Sequence, residues 1–376
     1  MQEPQHILIL SSWYPNRKSP FLGNFVMNHA RLIAQSYQVT LLHTVADESC
    51  SEIEIVETQH DQLREIVIYH PKGSHFFERR KAIDRAFDVG LSMISNVDLI
   101  HAHVLLPKGY LFVKAKKLFN CPLIVTEHSS IFSRQRQKSW SLKDHYIART
   151  TRKHIDHLVA VSEFQQKDLT RYFKETPTTV IPNPVDVNLF FPATTPHSEK
   201  FRFLHISTLD TTVKNPFGIV DAVALLHEKG YRTFELVIVS DEPVEALSNY
   251  VDSKGLNNHI RFFGPCQAEE LPPFYRASDA FVLYSDYESF SIVVAEAWAC
   301  GIPVISTSVG IAANLSSALG IQVDARNPLS LAIGMERIFN GVTFDRKAIR
   351  DHALQFSNEA VLDAVKKLYA DVLGKI

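Results

Sequence analysis

One pattern limits what this chain can fold into: short apolar runs alternate with amphipathic segments along its whole length, and the alternation breaks only once. Apolar runs rich in Ile, Val and Leu stand at residues 6–10, 38–43, 65–69, 98–101, 122–126, 157–161 and 178–181. Between them, residues 22–35, 79–94, 109–119 and 164–172 repeat apolar positions at helical spacing. A strand that reads as a continuous apolar run is buried on both faces. The alternation therefore predicts a parallel sheet covered by helices on either side.

The break is residues 181–192, IPNPVDVNLFFP, with three prolines and no periodicity, which predicts a linker. Beyond it the alternation restarts, with strands expected near 201–207, 234–239, 259–263, 279–283, 302–306 and 320–323. With 376 residues to distribute, two doubly wound domains are the economical reading. They would span 1–182 and 183–355, with a C-terminal helix at 356–376 packing back on the first. Ligands of such sheets bind beyond the carboxyl ends of the strands, so a cleft between the two is the expected site.

Composition narrows the chemistry. A formal net charge of −2 gives no global field for a nucleic-acid partner. Cys50, Cys121, Cys266 and Cys300 are too scattered for metal-ligand pairing and read as reduced thiols of a cytoplasmic protein. The apolar run at 7–10 is too short for a signal peptide, and no stretch approaches the roughly 20 apolar residues of a membrane span. Any membrane contact is expected to be peripheral, at the inner face of the cell membrane. None of the 14 glycines lies two residues from another, so there is no dinucleotide fingerprint, and no Gly-Lys-Ser/Thr phosphate loop occurs. No Asp-any-Asp triplet is present to hold a divalent ion. No metal site or cofactor is expected.

The strongest local signal is residues 287–303, YESFSIVVAEAWACGIP. Glu288 and Glu296 are separated by seven residues, Ser289 or Ser291 is expected to cap the helix, and Gly301–Pro303 to stop it. A helix start offers free backbone N–H groups and a positive dipole end, suited to a diphosphate. Glu288 stands just before that start. Glu296 lies about two turns in, on a face able to reach a ribose hydroxyl.

This segment resembles the signature of glycosyltransferase family four, in which two glutamates flank seven residues around a Ser/Gly-Phe-Gly/Ser turn. Further motifs fall in order. SSWYPNRKSPFLGNF resembles the family's first strand and glycine loop, which implies Gly23 and Asn24 beside the donor phosphates. PLIVTEHS resembles the strand ending in the active-site histidine, here His128. IPNPVDVNLF resembles the interdomain linker. FLHISTLDTTVKNP resembles the first strand of the donor domain, whose diphosphate-neutralising lysine is Lys214. FFGPCQ resembles the loop that holds the base, through the backbone at Pro265 and Cys266.

The resemblance implies a GT-B fold and a retaining, metal-independent glycosyltransferase. A hexose or N-acetylhexosamine would move from a UDP-, GDP- or ADP-sugar to a surface-glycan or glycolipid acceptor. The implied donor contacts are Lys214, Cys266, Ser289, Phe290, Ser291, Ile292 and Glu296, and the implied catalytic residues are His128 and Glu288. Of His101 and His103 one is expected to face the cleft, and His103 is taken as the acceptor contact. Thr208 stands where the family carries an arginine, which leaves the diphosphate one cation short unless Arg17 or Lys18 substitutes. Two rivals remain: a GT-B epimerase, which would be expected to lack the spaced glutamates, and a non-catalytic nucleotide-sugar binder. Between Lys72 and Lys153 there are 16 basic residues against six acidic ones, with Ile131, Phe132, Trp140 and Tyr146 interleaved. Two readings fit that stretch, a docking face for anionic lipid or an ordinary solvated helix face.

Overall fold

The computed structural model describes residues 5–193 and 200–374. The chain forms two compact units, Met1–Pro184 together with Val361–Ile376, and Val185–Ala360. The first contains β1 (His6–Ser11), α1 (Asn24–Ile33), β2 (Gln38–Ala46), β3 (Glu54–His60), β4 (Leu63–His70), α2 (Phe76–Ser92), β5 (Leu99–His103), α3 (Gly109–Phe119) and β6 (Leu123–Glu127). It continues through α4 (Arg134–Gln137), α5 (Leu142–Thr151), β7 (His157–Ala160), α6 (Glu163–Tyr172) and β8 (Thr178–Val180).

Its eight-stranded sheet has the order β3-β4-β2-β1-β5-β6-β7-β8. Seven strands are parallel, as their apolar character requires. The expectation of a wholly parallel sheet needs one correction: β3 runs antiparallel to β4, with Glu54 opposite Tyr69 and His60 opposite Leu63. A two-residue turn joins them, with Asp61 at φ 49°, a left-handed conformation that Asp tolerates.

Alternate residues of β1 feed two cores. Leu8 and Leu10 join Leu42, Ile68, Phe87 and Ile100 on one face, while Ile7 and Ile9 join Val39, Leu41 and Leu99 on the other. α1 closes the second core with Val26, His29, Ala30 and Ile33, at the spacing of one helical face.

The second unit contains β9 (Phe201–Ile206), α7 (Pro216–Glu228), β10 (Phe234–Val239), α8 (Glu245–Ser253), β11 (Ile260–Phe263), α9 (Pro272–Arg276), β12 (Ala280–Leu283) and α10 (Ile292–Ala299). β13 (Val304–Ser306), β14 (Gly320–Gln322), α11 (Pro328–Phe339) and α12 (Arg346–Ala353) complete it. Its six strands are all parallel, in the order β11-β10-β9-β12-β13-β14.

The proline-rich segment enters this unit with its backbone satisfied. Val185 N–H donates to Phe356 C=O at 2.8 Å, and the Arg350 guanidinium donates to the carbonyls of Val187 and Phe190, both at 2.8 Å. The final helix, α13 (Asn358–Leu373), crosses back at Ala360/Val361. From there Val361, Leu362, Val365, Leu368, Tyr369 and Val372 join the α1-side core of the first unit.

Candidate active site

In each sheet the strand order reverses at one point, between β1 and β5 in the first unit and between β9 and β12 in the second. Chain segments leaving two adjacent strands in opposite directions open a crevice there, the general place for a ligand in a doubly wound sheet. Gly23, Asn24, His103 and His128 lie at the first of these points, and Lys214, Glu288 and the start of α10 at the second, whereas Cys266 follows β11 at the edge of the second sheet.

In the first unit, Gly23 is the residue before α1 and sits at φ 77°. A Cβ there would stand 2.7 Å from the Trp13 carbonyl carbon and oxygen, so the loop after β1 closes only on glycine. Asn24 is the first residue of α1. His103 ends β5, and His128 follows the last residue of β6. Nδ1 of His103 lies 2.9 Å from Nε2 of His128, with the two rings stacked at 5.2 Å. Phe25 stacks on His128 from the α1 side at 4.3 Å.

His101 and His103 are two apart on one strand and therefore share a face. Both are buried, and their rings stack at 4.4 Å. His103 is fully buried and lies against His128. His101 bridges the Tyr369 hydroxyl at 2.7 Å and the Thr126 hydroxyl at 2.6 Å. His29 completes the cluster, 3.2 Å from the Asn183 side-chain oxygen. Burial, followed by the neighbouring imidazoles, pulls the pKa of His101 down to about 3 and that of His103 well below the ordinary value. His128 shifts down for the same reasons, and burial takes His29 to about 4. All four rings are therefore neutral near pH 7.

Glu127 was not anticipated as part of this site. It is 1% exposed, and its Oε1 accepts from His128 N–H (2.9 Å), Ser129 N–H (2.8 Å) and the Ser129 hydroxyl (2.6 Å). Its Oε2 accepts from Leu105 N–H at 3.1 Å. One carboxylate thus ties the loop after β6 to the loop after β5. Burial still raises its pKa against those donors. Just before Leu105, Val104 sits at φ 58°, a costly conformation for a β-branched residue, with its N–H donating to Thr126 C=O at 3.0 Å.

In the second unit, Lys214 closes the loop after β9 and Glu288 lies on the loop after β12. Their side chains meet, with Nζ to Oε1 at 2.6 Å and exposures of 21% and 12%. The Ser285 hydroxyl donates to the same Oε1 at 2.7 Å. Asp286 N–H donates to Val213 C=O at 2.7 Å, so the two loops are also joined through their backbones.

Of the two serines expected to cap α10, Ser291 does not do so. Ser291 occupies the N-cap position but sits at φ 78° and makes no side-chain cap bond; its buried Oγ has no hydrogen-bond partner among the described residues. Ser289 and Phe290 form the turn before it, and Ile292 opens the helix. Gly310, at φ 54°, packs under this turn, and Ile311 N–H donates to Phe290 C=O at 2.9 Å. Glu296 is 7% exposed and accepts from the Tyr275 hydroxyl at 2.6 Å, with burial raising its pKa to about 7. Cys266 lies on the loop after β11, half-buried.

Of the cations considered as replacements at the Thr208 position, Arg17 is occupied. It bonds Asp47 at 2.7 Å and Glu54 at 2.8 Å and lies over the Tyr69 ring. Sequence reading overlooked Arg326, which donates from Nε and a terminal nitrogen to one Asp286 oxygen at 2.9 and 2.6 Å.

Comparison with known proteins bears on these arrangements. Residues 22–189 match the family described as Glycosyltransferase Family 4, and residues 187–350 match Glycosyl transferases group 1. A D-inositol 3-phosphate glycosyltransferase of Corynebacterium diphtheriae is 28% identical over 302 residues, covering 73% of this chain and 70% of its own. Among solved structures, a sucrose-phosphate synthase from Thermosynechococcus elongatus superposes with a TM-score of 0.79 at 20% identity, over 99% of this chain and all of that one. The Anabaena protein HepE, in complex with UDP and glucose, gives 0.75 at 18% identity over 98% of this chain and all of its own. Two doubly wound sheets in this order, with matches running from residue 22 to residue 350, place the chain in glycosyltransferase family four, as a glycosyltransferase of GT-B fold.

Proposed function

We propose that this glycosyltransferase moves a hexose or N-acetylhexosamine from a nucleoside-diphosphate sugar to a surface-glycan or glycolipid acceptor, with retention and without a metal. The carrying observation is the Lys214–Glu288 pair at the β9/β12 switch point, beside the start of α10 with its unpartnered Ser291 hydroxyl. The 185–360 unit binds the donor in this reading. Its diphosphate competes with Glu288 for the Lys214 ammonium and takes the first amides of α10 and the Ser291 hydroxyl. Glu288, released from Lys214, then holds sugar hydroxyls and stabilises positive charge growing at the anomeric carbon. The base rests against the backbone at Pro265 and Cys266, and Glu296 takes a ribose hydroxyl.

The 1–184 unit binds the acceptor. His128 contacts the donor sugar, with His103 and Glu127 acting as positioning residues behind it. Gly23 and Asn24 approach the phosphates from the loop after β1. The acceptor hydroxyl attacks on the face of the leaving phosphate. The new C–O bond forms as the C–O bond to the diphosphate breaks, and the diphosphate oxygen receives the acceptor's proton. Catalysis here is orientation and charge stabilisation.

The solved relative that carries UDP and glucose supports uridine-diphosphate sugars as the first donors to test. Relatives named for D-inositol 3-phosphate support a second acceptor class, the phosphorylated cyclitols. The deciding measurement is turnover of a panel of UDP-, GDP- and ADP-sugars, with and without EDTA, against lipid-linked glycans and D-inositol 3-phosphate. We expect one donor to dominate and EDTA to leave its rate unchanged. Loss of activity in EDTA with rescue by Mg²⁺ or Mn²⁺ would overturn the assignment of the diphosphate to Lys214 and the helix start alone. Nucleotide binding without turnover of any pair would leave a binding protein.

A further inference from the structure

The first unit turns outward a surface that its own core does not use. α2 buries Ala86, Phe87, Gly90 and Leu91, yet its first turn leaves Phe76 and Phe77 at 56% and 77% exposure. α5 buries Ile147, Ala148 and Thr151 and leaves Leu142 and Tyr146 at 90% and 70%. The two helix starts are neighbours, since Nζ of Lys143 lies 5.7 Å from the Phe76 ring centre. Single exposed apolar side chains are ordinary on a protein surface, but large ones gathered on two adjoining helix starts mark an interaction site.

Cations stand behind them in register. On α2, Phe77, Lys81 and Arg85 follow one another at four-residue steps, and on α5 Leu142, Tyr146 and Arg149 do so at steps of four and three. Each set is one exposed helical stripe, apolar at the start and cationic a turn or two later. Among the described residues, the ion pairs of these helices join His75 to Glu78, Arg80 to Asp84 and Lys114 of α3 to Asp88. Among the described residues, no ion pair is formed by Lys81, Arg85, Lys143 or Arg149.

The charge identifies the partner. Lys81, Arg85, Lys143 and Arg149 are exposed on these two helices against Glu78 and Asp144 in their first turns, so a second copy of this face would be repelled, whereas a surface of phosphates would be attracted. Rings and a leucine ahead of lysines and arginines match the depth profile of a lipid interface, with apolar groups at the acyl boundary and cations among the headgroups. We propose that the adjoining starts of α2 and α5 dock this unit on an anionic lipid surface. Phe77, Leu142 and Tyr146 enter the headgroup layer, and Lys81, Arg85 and Arg149 pair with lipid phosphates.

The test is sedimentation of the full chain with vesicles of phosphatidylcholine alone and of equimolar phosphatidylcholine and phosphatidylglycerol. The proposal expects binding to the mixed vesicles, weakened by salt. The double variant Phe77→Ser, Leu142→Ser should lower that binding roughly tenfold or more, from lost apolar insertion. The triple charge variant Lys81→Glu, Arg85→Glu, Arg149→Glu should abolish the preference for the anionic lipid. Unchanged melting of both variants shows that folding is not the cause, as expected for exposed side chains. No binding to the mixed vesicles, equal binding to both compositions, or full binding by either variant would overturn the proposal. So would concentration-dependent self-association lost in the double variant, which would assign the face to a second copy. The assay needs neither donor nor acceptor, so its failure leaves the proposed transfer reaction untouched.

Discussion

Glu288 is held by two donors, Lys214 and Ser285, on a single oxygen. Glu288→Gln keeps the size and hydrogen-bonding capacity but removes the charge, so the fold should survive. Turnover should fall by roughly 100-fold or more, the scale for losing a transition-state contact. Wild-type turnover in that variant would remove Glu288 from the mechanism. The four buried imidazoles make a separate prediction about pH. Burial lowers their folded-state pKa values, so an unfolded chain binds protons that the folded one refuses as pH falls below the ordinary histidine value of about 6.5. Their stabilising contribution is complete above that pH and is lost between it and the folded values, about 4 for His29 and about 3 for His101. Each such group should give stability a slope of about 1.4 kcal/mol per pH unit in that window. Denaturant unfolding from pH 7.5 to 4.5 should show an acid loss that is reduced when His101 and Tyr369 are replaced together by Leu and Phe. An unaltered pH profile would mean the rings are not neutral in the fold. Sequence alone singled out His128, Lys214 and Glu288 through their motifs. It could not show the ion pair joining residues 214 and 288, nor that His103 backs His128, because both contacts depend on strand order.

At the scale of elements, Gly310 sets the geometry of the Glu288–Phe290 turn. A Cβ there would meet Phe290 O at 2.4 Å and the Glu288 Cβ at 3.1 Å, in a backbone conformation that L-residues disfavour. Gly310→Ala should therefore cost about 2–4 kcal/mol from strain and clash together, and it should also slow turnover by displacing the turn. Gly255→Ala is the control, with φ +66° but no atom within 4 Å of the new methyl. It should cost about 1 kcal/mol from backbone strain alone and leave turnover intact. Equal melting shifts in the two variants would show that packing at Gly310 is irrelevant. Element positions were legible wherever burial imposed a pattern, as in β10, whose six residues are all buried. β3 went unread because all seven of its residues are exposed and carry no core signal. Of the two serines expected to cap α10, Ser291 has the right chemistry but stands in a left-handed conformation and makes no cap bond.

At the scale of the whole chain, the first unit is not continuous in sequence. Its α1-side core is completed by residues that arrive only after the second unit has been made, from Val361 onward. The helix that brings them is set by Ser357, whose hydroxyl accepts from Ala360 N–H at 3.2 Å. Its buried stripe is Val361, Leu362, Val365, Leu368, Tyr369 and Val372, all under 9% exposed. At about 1.5–3 kcal/mol for each buried apolar side chain, the helix contributes on the order of 10 kcal/mol to that core, an upper estimate because an unfolded chain is partly compact. That is comparable with the whole stability of an ordinary domain. A chain ending at Ala360 should therefore lose the cooperative melting of the first unit while the second, whose core lies wholly within 185–360, keeps its own transition. Tyr369→Phe is the finer probe. It retains the ring and removes only the hydroxyl beside His101, so it should cost about 1 kcal/mol and leave both transitions present. Calorimetry of the full chain, the truncated chain and the point variant distinguishes these outcomes. If truncation at Ala360 left two transitions at their original temperatures, the last helix would be an appendage, and the apolar stripe that it buries would need another explanation.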